Sequence, residues 1–529
     1  MTPKRAVAAA VTTATALALV LVGCSSDEGD GSPAGDPIEG GTFTQILNAD
    51  PGNLDPQMSA GSALFDVSVF AYDTLVGVDE DGQPLSQLAS EWTQEPMSAT
   101  LTLNDGILCS DGTEFTAQTA ADNLNWISDP ANQSAFLGAF FPAGVTTVAE
   151  GNTITLTLST PAPFLLLGLA NLPMVCEAGM ADRSTLAAAS NGTGPYVLAE
   201  AVPNDHYTFE LRDEYAWGPD SATVDEPGIP AVVNIRIVAD GTTATNLMLS
   251  GEANAAQLLG PDAERALGAD LFSLESSAVV GEQWYNHAEG HPTSDPAVRM
   301  ALTQALDLDE LAKVITTGKG GPASALATVA PRGCTFDSIS SVLPSFDVDA
   351  ANAALDAAGW ELGADGVRVK DGTPLSIVFL YQNGLGAAGT AAAELAIEAW
   401  EQIGVQVDGR EQDEPSILDA IFSTGAWDIS WVPVSVNSPD QLIGFLSGIT
   451  PPEGVNFSGI QNDDYEAGVA EAMQLPGAEG CPVWQEAESA LIEAADLVPF
   501  AEGTVYMFGS GAEFDWTGQI APTSIRMLG

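Results

Sequence analysis

The sequence predicts an α/β protein of two lobes, and three observations carry that expectation. Strand-like and helix-like stretches are mixed throughout, but they fall in two blocks rather than one long alternation, with the pattern changing near residue 290. The second block holds a strand–helix–strand run over 375–408, the pattern of a βαβ unit. The chain has 529 residues, 45% of them hydrophobic, which is enough for more than one core. A cleft between two lobes is where a ligand would sit.

The elements follow in chain order. Lys4 and Arg5 precede an apolar run from Ala6 to Val22, the layout of a secretory signal peptide over residues 1–23. It ends in Leu21-Val22-Gly23-Cys24, which resembles a bacterial lipobox, so Cys24 is the expected lipid anchor on the extracytoplasmic face of the cell membrane. Residues 24–39 are rich in Ser, Gly and Asp and read as a flexible tether. A strand is expected at 42–47, a turn-rich loop at 51–56, a helix over 62–76 and a hairpin-type turn at 79–82. Residues 99–103 and 153–158 alternate apolar side chains with Thr, as half-buried strands do, and a helix capped near Thr116 lies between them. A hairpin follows at 196–199 and 207–211, then a strand at 232–238.

In the second block Pro296 opens a helix to about Leu306, and Asp307-Leu308-Asp309-Glu310 resembles a capping box for the next one. Asp349–Ala358 reads as a helix closed by Gly359. Strands at 375–381 and 404–408 flank a helix over 390–403, and a late helix runs from Pro482 to Ala495.

The formal charge of −58 excludes a nucleic-acid partner, because phosphates need Lys and Arg. The bland reading of that charge is a solvated acidic surface. With Cys24 acylated, Cys109, Cys176, Cys334 and Cys481 remain; an even set in an exported chain reads as two disulfides, with three possible pairings. Their spacing does not resemble a zinc site, and neither a metal nor a cofactor is expected.

Two catalytic-looking patterns are set aside. Gly384-x-Gly386-x-x-Gly389 follows a strand and opens a helix, as a dinucleotide fingerprint does, but a Gly/Ala-rich loop capping the helix accounts for it. His287 and His291 flank Glu289, yet Gly290 and Pro292 break any helix that would make them a metalloprotease pair. No Gly-x-Ser-x-Gly elbow is present, so a secreted hydrolase is the weaker class of function.

Several segments, in order, resemble the family that includes the oligopeptide-, dipeptide- and nickel-binding proteins of ABC importers, extracellular solute-binding protein family 5. They are Gly40–Phe43 with Asn53–Pro56; Tyr72–Val76 with Asp81-Gly82 and Leu88–Trp92; and Leu101–Gly106 with Ser110–Thr113 and Thr116-Ala117. Further along come Gly192–Tyr196 with Asp213, Tyr215 and Trp217; Val298–Ala301 with Ala305–Asp307; Asp349–Trp360; and Ala487–Pro499. Asn104 stands where the family usually has a basic residue.

The resemblance implies a two-lobed periplasmic-binding-protein-like fold in its three-domain variant, cluster C type. Lobe 1 would span 40–284 with an extra domain at about 79–170, lobe 2 would span 285–499, and 500–529 would return to lobe 1. The crossings would lie near Trp284-Tyr285-Asn286 and Pro499-Phe500. Cys109–Cys176 and Cys334–Cys481 are then the preferred disulfides, each within one lobe. The implied function is non-enzymatic capture of a peptide, peptide-like or other organic solute by a monomer that delivers it to an ABC permease; an oligosaccharide or siderophore-like ligand is the alternative. By the same resemblance Trp284, Tyr285 and Trp431 are expected cleft walls, and Val436-Asn437-Ser438-Pro439-Asp440 is the cleft loop. Peptide-binding members often carry Asp at the position of Ser438, where it pairs with the peptide ammonium. Ser438 has no charge to offer, which argues against ordinary peptides unless Asp440 substitutes.

Overall fold

In the computed structural model two long antiparallel strands, Phe272–Tyr285 and Leu497–Gly509, run side by side through the middle of one mixed sheet. The structure describes residues 35–529 apart from 60, 80, 81, 139, 270, 384 and 385, so the signal segment, Cys24, most of the tether and Gly384 lie outside the described residues. Among the described residues no helix is long and apolar enough to cross a membrane.

The central pair divides the sheet. On one side Tyr506–Gly509 pairs with Ala255–Leu258, followed outward by Thr42–Leu47, Val232–Ile237, His206–Leu211 and Tyr196–Val202. On the other side Gln283–Tyr285 pairs with Ile429–Trp431, then Ser376–Gln382 and Gln406–Gln412. These halves are the cores of the two lobes. Between them the central pair changes register, at Val279–Glu282 opposite Pro499–Glu502. Trp284 and Tyr285 are already paired into lobe 2 at Ser430 and Ile429, so the register change lies N-terminal to the expected crossing at Trp284–Asn286.

Beside lobe 1 a four-stranded antiparallel sheet, Ala89–Glu95, Ser98–Leu103, Thr153–Thr157 and Thr146–Glu150, is covered by the helix Ala117–Ser128. The Thr/apolar alternation puts Leu101, Leu103, Ile154 and Leu156 on one buried face, against Leu124 and Ile127 of the helix. Thr116 caps that helix by accepting from the Thr119 N–H. This core continues onto Tyr215, Trp217 and Ile229 of lobe 1. In lobe 2 the parallel strands Ser376–Gln382 and Gln406–Gln412 are bridged by the helix Gly386–Gln402, whose Trp400 meets Phe379 edge-on at 5.2 Å.

One element differs clearly from expectation. The helix expected over 62–76 stops at Ser68. Beyond it the carbonyls of Phe70 and Ala71 accept from the N–H groups of Tyr196 and Gly194, so the backbone is drawn into lobe 1 instead of continuing a helical ladder. Gly194 is needed there, since a Cβ would stand 2.5 Å from the Ala71 carbonyl carbon.

The disulfides join Cys109 to Cys176 and Cys334 to Cys481. The second sits in a small apolar seam where Phe164 and Leu167, from the region packed on lobe 1, meet Cys334, Trp484 and Ala472 of lobe 2. The Gly477 N–H also donates to the Pro163 carbonyl at 2.8 Å.

Candidate functional site

Between the two lobes lies a cleft of ≈ 560 Å³. One wall is formed by Phe65 on the helix Ser62–Ser68, the drawn-in segment with Tyr72, Asp73 and Thr74, and the loop Thr517–Thr523. Facing it are Val329–Pro331, Ser435–Asn437 and Gln441.

The facing wall is pinned by alternate backbone groups. The Val432 carbonyl accepts from the Trp284 indole N–H at 3.0 Å, and the Val434 N–H donates to Glu282 Oε2 at 2.8 Å. The Val436 carbonyl accepts from the Val329 N–H at 3.1 Å, and the Asn437 carbonyl from the Gly333 N–H at 2.7 Å. Glu282 thus ties the loop to the register change in the central strand. Burial, with Glu488 nearby, pushes its carboxyl up to about 8.

Among the described lining residues Asp73 is the one charged side chain, and it is fully engaged. Its Oδ1 accepts from the Tyr215 hydroxyl at 2.9 Å and Gln87 Nε2 at 3.0 Å, and its Oδ2 from Trp217 Nε1 at 3.1 Å. Burial raises its pKa, and these donors oppose the rise.

The expected site residues are distributed differently. Trp284, Tyr285 and Trp431 are each 0% exposed and line no part of the cleft. The Trp284 indole packs on Phe457 and donates to Glu282 as well as Val432. The Tyr285 hydroxyl pairs with Thr303, and Trp431 donates to Gln283 while packing between Phe379 and Phe500. They are core residues because both their rings and their polar atoms are already partnered. Ser438, 2% exposed, donates to Asp440 Oδ1 at 2.5 Å, behind the cleft surface rather than on it. Burial lifts Asp440 to about 6, and it does not reach the cleft to substitute for a missing carboxylate. Asn437 alone of the named residues lines it.

Tyr72, Asp73 and Tyr215 belong to segments that carried the family resemblance, but nothing in the sequence marked them as lining. The loop Thr517–Thr523 had no signal at all. His287 Nε2 meets the Asp496 carbonyl, and burial lowers its pKa to about 4; His291 Nδ1 lies 2.8 Å from Asp428. Among the described residues no group of three or more His, Cys, Asp or Glu side chains is placed to hold a metal ion.

A two-lobed α/β fold with a cleft between its lobes gives a small ligand a place to be enclosed. The model of the bacterial extracellular solute-binding proteins, family 5, matches residues 83–450, and the chain belongs to that family. It is 26% identical over 457 residues to the glutathione-binding protein GsiB of Escherichia coli, covering 82% of this chain and 85% of that one. The nickel-binding periplasmic protein of the same organism is 26% identical over 433 residues, 78% of each chain. Among solved structures, a substrate-binding protein from Microbacterium hydrocarbonoxydans complexed with 4-hydroxybenzoate hydrazide has a TM-score of 0.69 at 25% identity, covering 92% of this chain and 99% of that one. The ABC transporter substrate-binding protein CtaP from Listeria monocytogenes has a TM-score of 0.76 at 19% identity, covering 92% and 99%. The family's members are substrate-binding proteins of extracytoplasmic compartments.

Proposed function

We propose that this protein is the receptor subunit of an ABC importer, a monomer anchored through lipid on Cys24, which captures a peptide-like or other organic solute and hands it to the permease. The observation that supports this reading is the central strand pair, whose register change at Val279–Glu282 and Pro499–Glu502 lies between lobes that share one cleft and is where we place the hinge. Lobe 1 is taken as 40–284 with 500–529 and the extra domain at about 79–170, and lobe 2 as 285–499. A solute that touches both walls only when the lobes are closed shifts the population toward the closed form, which the permease then reads. The aromatic lining, Phe65, Tyr72 and Phe140, supports a small organic solute rather than nickel, as does the hydrazide held by the Microbacterium relative.

Native mass spectrometry of the purified protein, combined with small-angle scattering before and after unfolding and refolding to strip ligand, tests the reading. A bound solute whose removal expands the molecule is the expected result. A protein that carries no solute and keeps one shape throughout overturns it.

A further inference from the structure

We infer that the cleft selects a solute that is uncharged where it is enclosed, and that the Asn437 carboxamide is its specificity-determining contact, pairing with an N–H donor beside a carbonyl acceptor, as an amide or hydrazide presents. This deepens the proposed function and rests on it.

The first support is the absence of a free counter-charge. Asp73 is the one charged side chain among the described lining residues, and both its oxygens are occupied by Tyr215, Gln87 and Trp217. Arg332 follows the lining residue Pro331, but it is turned away: its Nε donates to the Thr328 carbonyl at 3.1 Å, and its NH2 nitrogen lies 3.8 Å from Glu502. Asp440 is held behind the surface by Ser438. An ammonium or carboxylate enclosed here gives up its water without a partner, a cost that neutral groups escape.

The second support is Asn437 itself. It is 8% exposed, yet its carboxamide makes no hydrogen bond among the described residues, and its Oδ1 is buried without a partner. Its backbone is fixed on both sides, the N–H to Gln441 Oε1 at 3.2 Å and the carbonyl to Gly333. Buried polar groups in native proteins are normally paired, so a rigidly placed, unpaired carboxamide on a cleft wall marks a contact left for a ligand. A carboxamide carries an acceptor and donors side by side, complementary to another amide in two hydrogen bonds; its acceptor is enclosed in this form, so the pairing is made as the cleft opens to admit the solute. Phe65, Tyr72 and Phe140 supply flat apolar area for the remainder of such a molecule.

Calorimetry at neutral pH with two matched pairs tests this: a zwitterionic dipeptide against its N-acetylated, C-amidated form, and benzoate against benzamide. The neutral member of a pair is expected to bind at least about tenfold more tightly. Asn437→Ala should weaken it about tenfold with the melting temperature preserved, the effect of losing one to two hydrogen bonds. Asn437→Asp should shift preference toward the member with a free ammonium. Tighter binding of the charged members, or a charged solute recovered from the purified protein, overturns this inference and leaves the receptor reading standing. Neutral binding that Asn437→Ala does not change overturns the role of Asn437. A protein that carries no solute and binds none of the four overturns the receptor reading and this one with it.

Discussion

Phe164 and Gly333 meet beside the Cys334–Cys481 seam so closely that a Cβ on Gly333 would stand 2.9 Å from two carbons of the Phe164 ring and 3.1 Å from the Ser438 Cβ. The glycine therefore lets the two sides of the seam touch, and the neighbouring bond from Gly477 N–H to the Pro163 carbonyl forms beside it. Gly333→Leu should act as a wedge. Its side chain has no room against Phe164 with the lobes together, so overpacking of about 1–3 kcal/mol falls mainly on the closed form, while the tight approach to Ser438 within lobe 2 remains when they part. Scattering should show a larger radius of gyration, and solute affinity should drop about tenfold or more, with thermal stability of the lobes little changed. An unchanged radius together with unchanged affinity would show that the seam does not govern closure.

The Cys334–Cys481 disulfide holds the lobe 2 side of that seam, closing a loop with a sequence separation of 147. Replacing both cysteines by Ser should cost about 2–5 kcal/mol of stability. It should also loosen the surface that Phe164 packs on, so solute affinity falls too. The equivalent replacement at Cys109 and Cys176, buried in the core that the extra domain shares with lobe 1, should lower the melting temperature with a smaller effect on binding. Equal effects of the two pairs on affinity would refute a special role for the seam disulfide. A thiol count on the denatured, unreduced protein checks both bonds.

Stability should fall as pH rises through neutrality. Burial raises Glu282 from 4.5 to about 8 and Glu488 from 4.5 to about 7. Below about pH 4.5 both are protonated whether the chain is folded or not, and neither affects stability. Above it the unfolded chain releases these protons while the folded chain keeps them, so each pH unit up to the folded pKa weakens the fold by roughly 1.4 kcal/mol per group. Glu282→Gln keeps an acceptor for Trp284 and Val434 and removes the charge. The decline in melting temperature between pH 5 and 8 should be shallower in the variant; parallel curves would mean that Glu282 does not titrate in this range.

Cys24→Ala should either release the protein from the membrane or leave its signal segment uncleaved. Fractionation and intact mass read both outcomes. Retention at an unchanged mature mass would place the anchor elsewhere.

Much of the fold was legible because it is written in periodicity and caps. The Thr/apolar alternation of 153–157, the βαβ unit around Trp400 and the caps at Thr116 and Asp307 each follow from local chemistry. The cleft was less legible. Trp284 and Trp431 sit at positions where the family suggested walls, but what decides their place is the partnering of each indole N–H, and for each of them one partner, Val432 or Gln283, lies far away in sequence. On the loop after Trp431, Asn437, Ser438 and Asp440 were all expected contacts, and of the three Asn437 lines the cleft. A loop has no period, and which side chain faces the cavity is set by the backbone bonds from Val329 and Gly333. Lining from Thr517–Thr523 depends on the whole return of the chain along Leu497–Gly509, which no local pattern encodes.

That return also imposes an order of events. The lobe 2 strands Ser376–Gln382 and Gln406–Gln412 need only the helix between them to pair, so this half of the sheet can form from neighbours in the chain. Ala255–Leu258 must wait for Tyr506–Gly509, which emerges after all of lobe 2. Until then one edge of the lobe 1 sheet is bare, with its N–H and C=O groups open to any passing strand. Pairing so distant in sequence is slow. The interval between export of residue 258 and arrival of residue 506 is when this chain is most exposed to misassociation, and a folding helper acting on it would find its target at that edge.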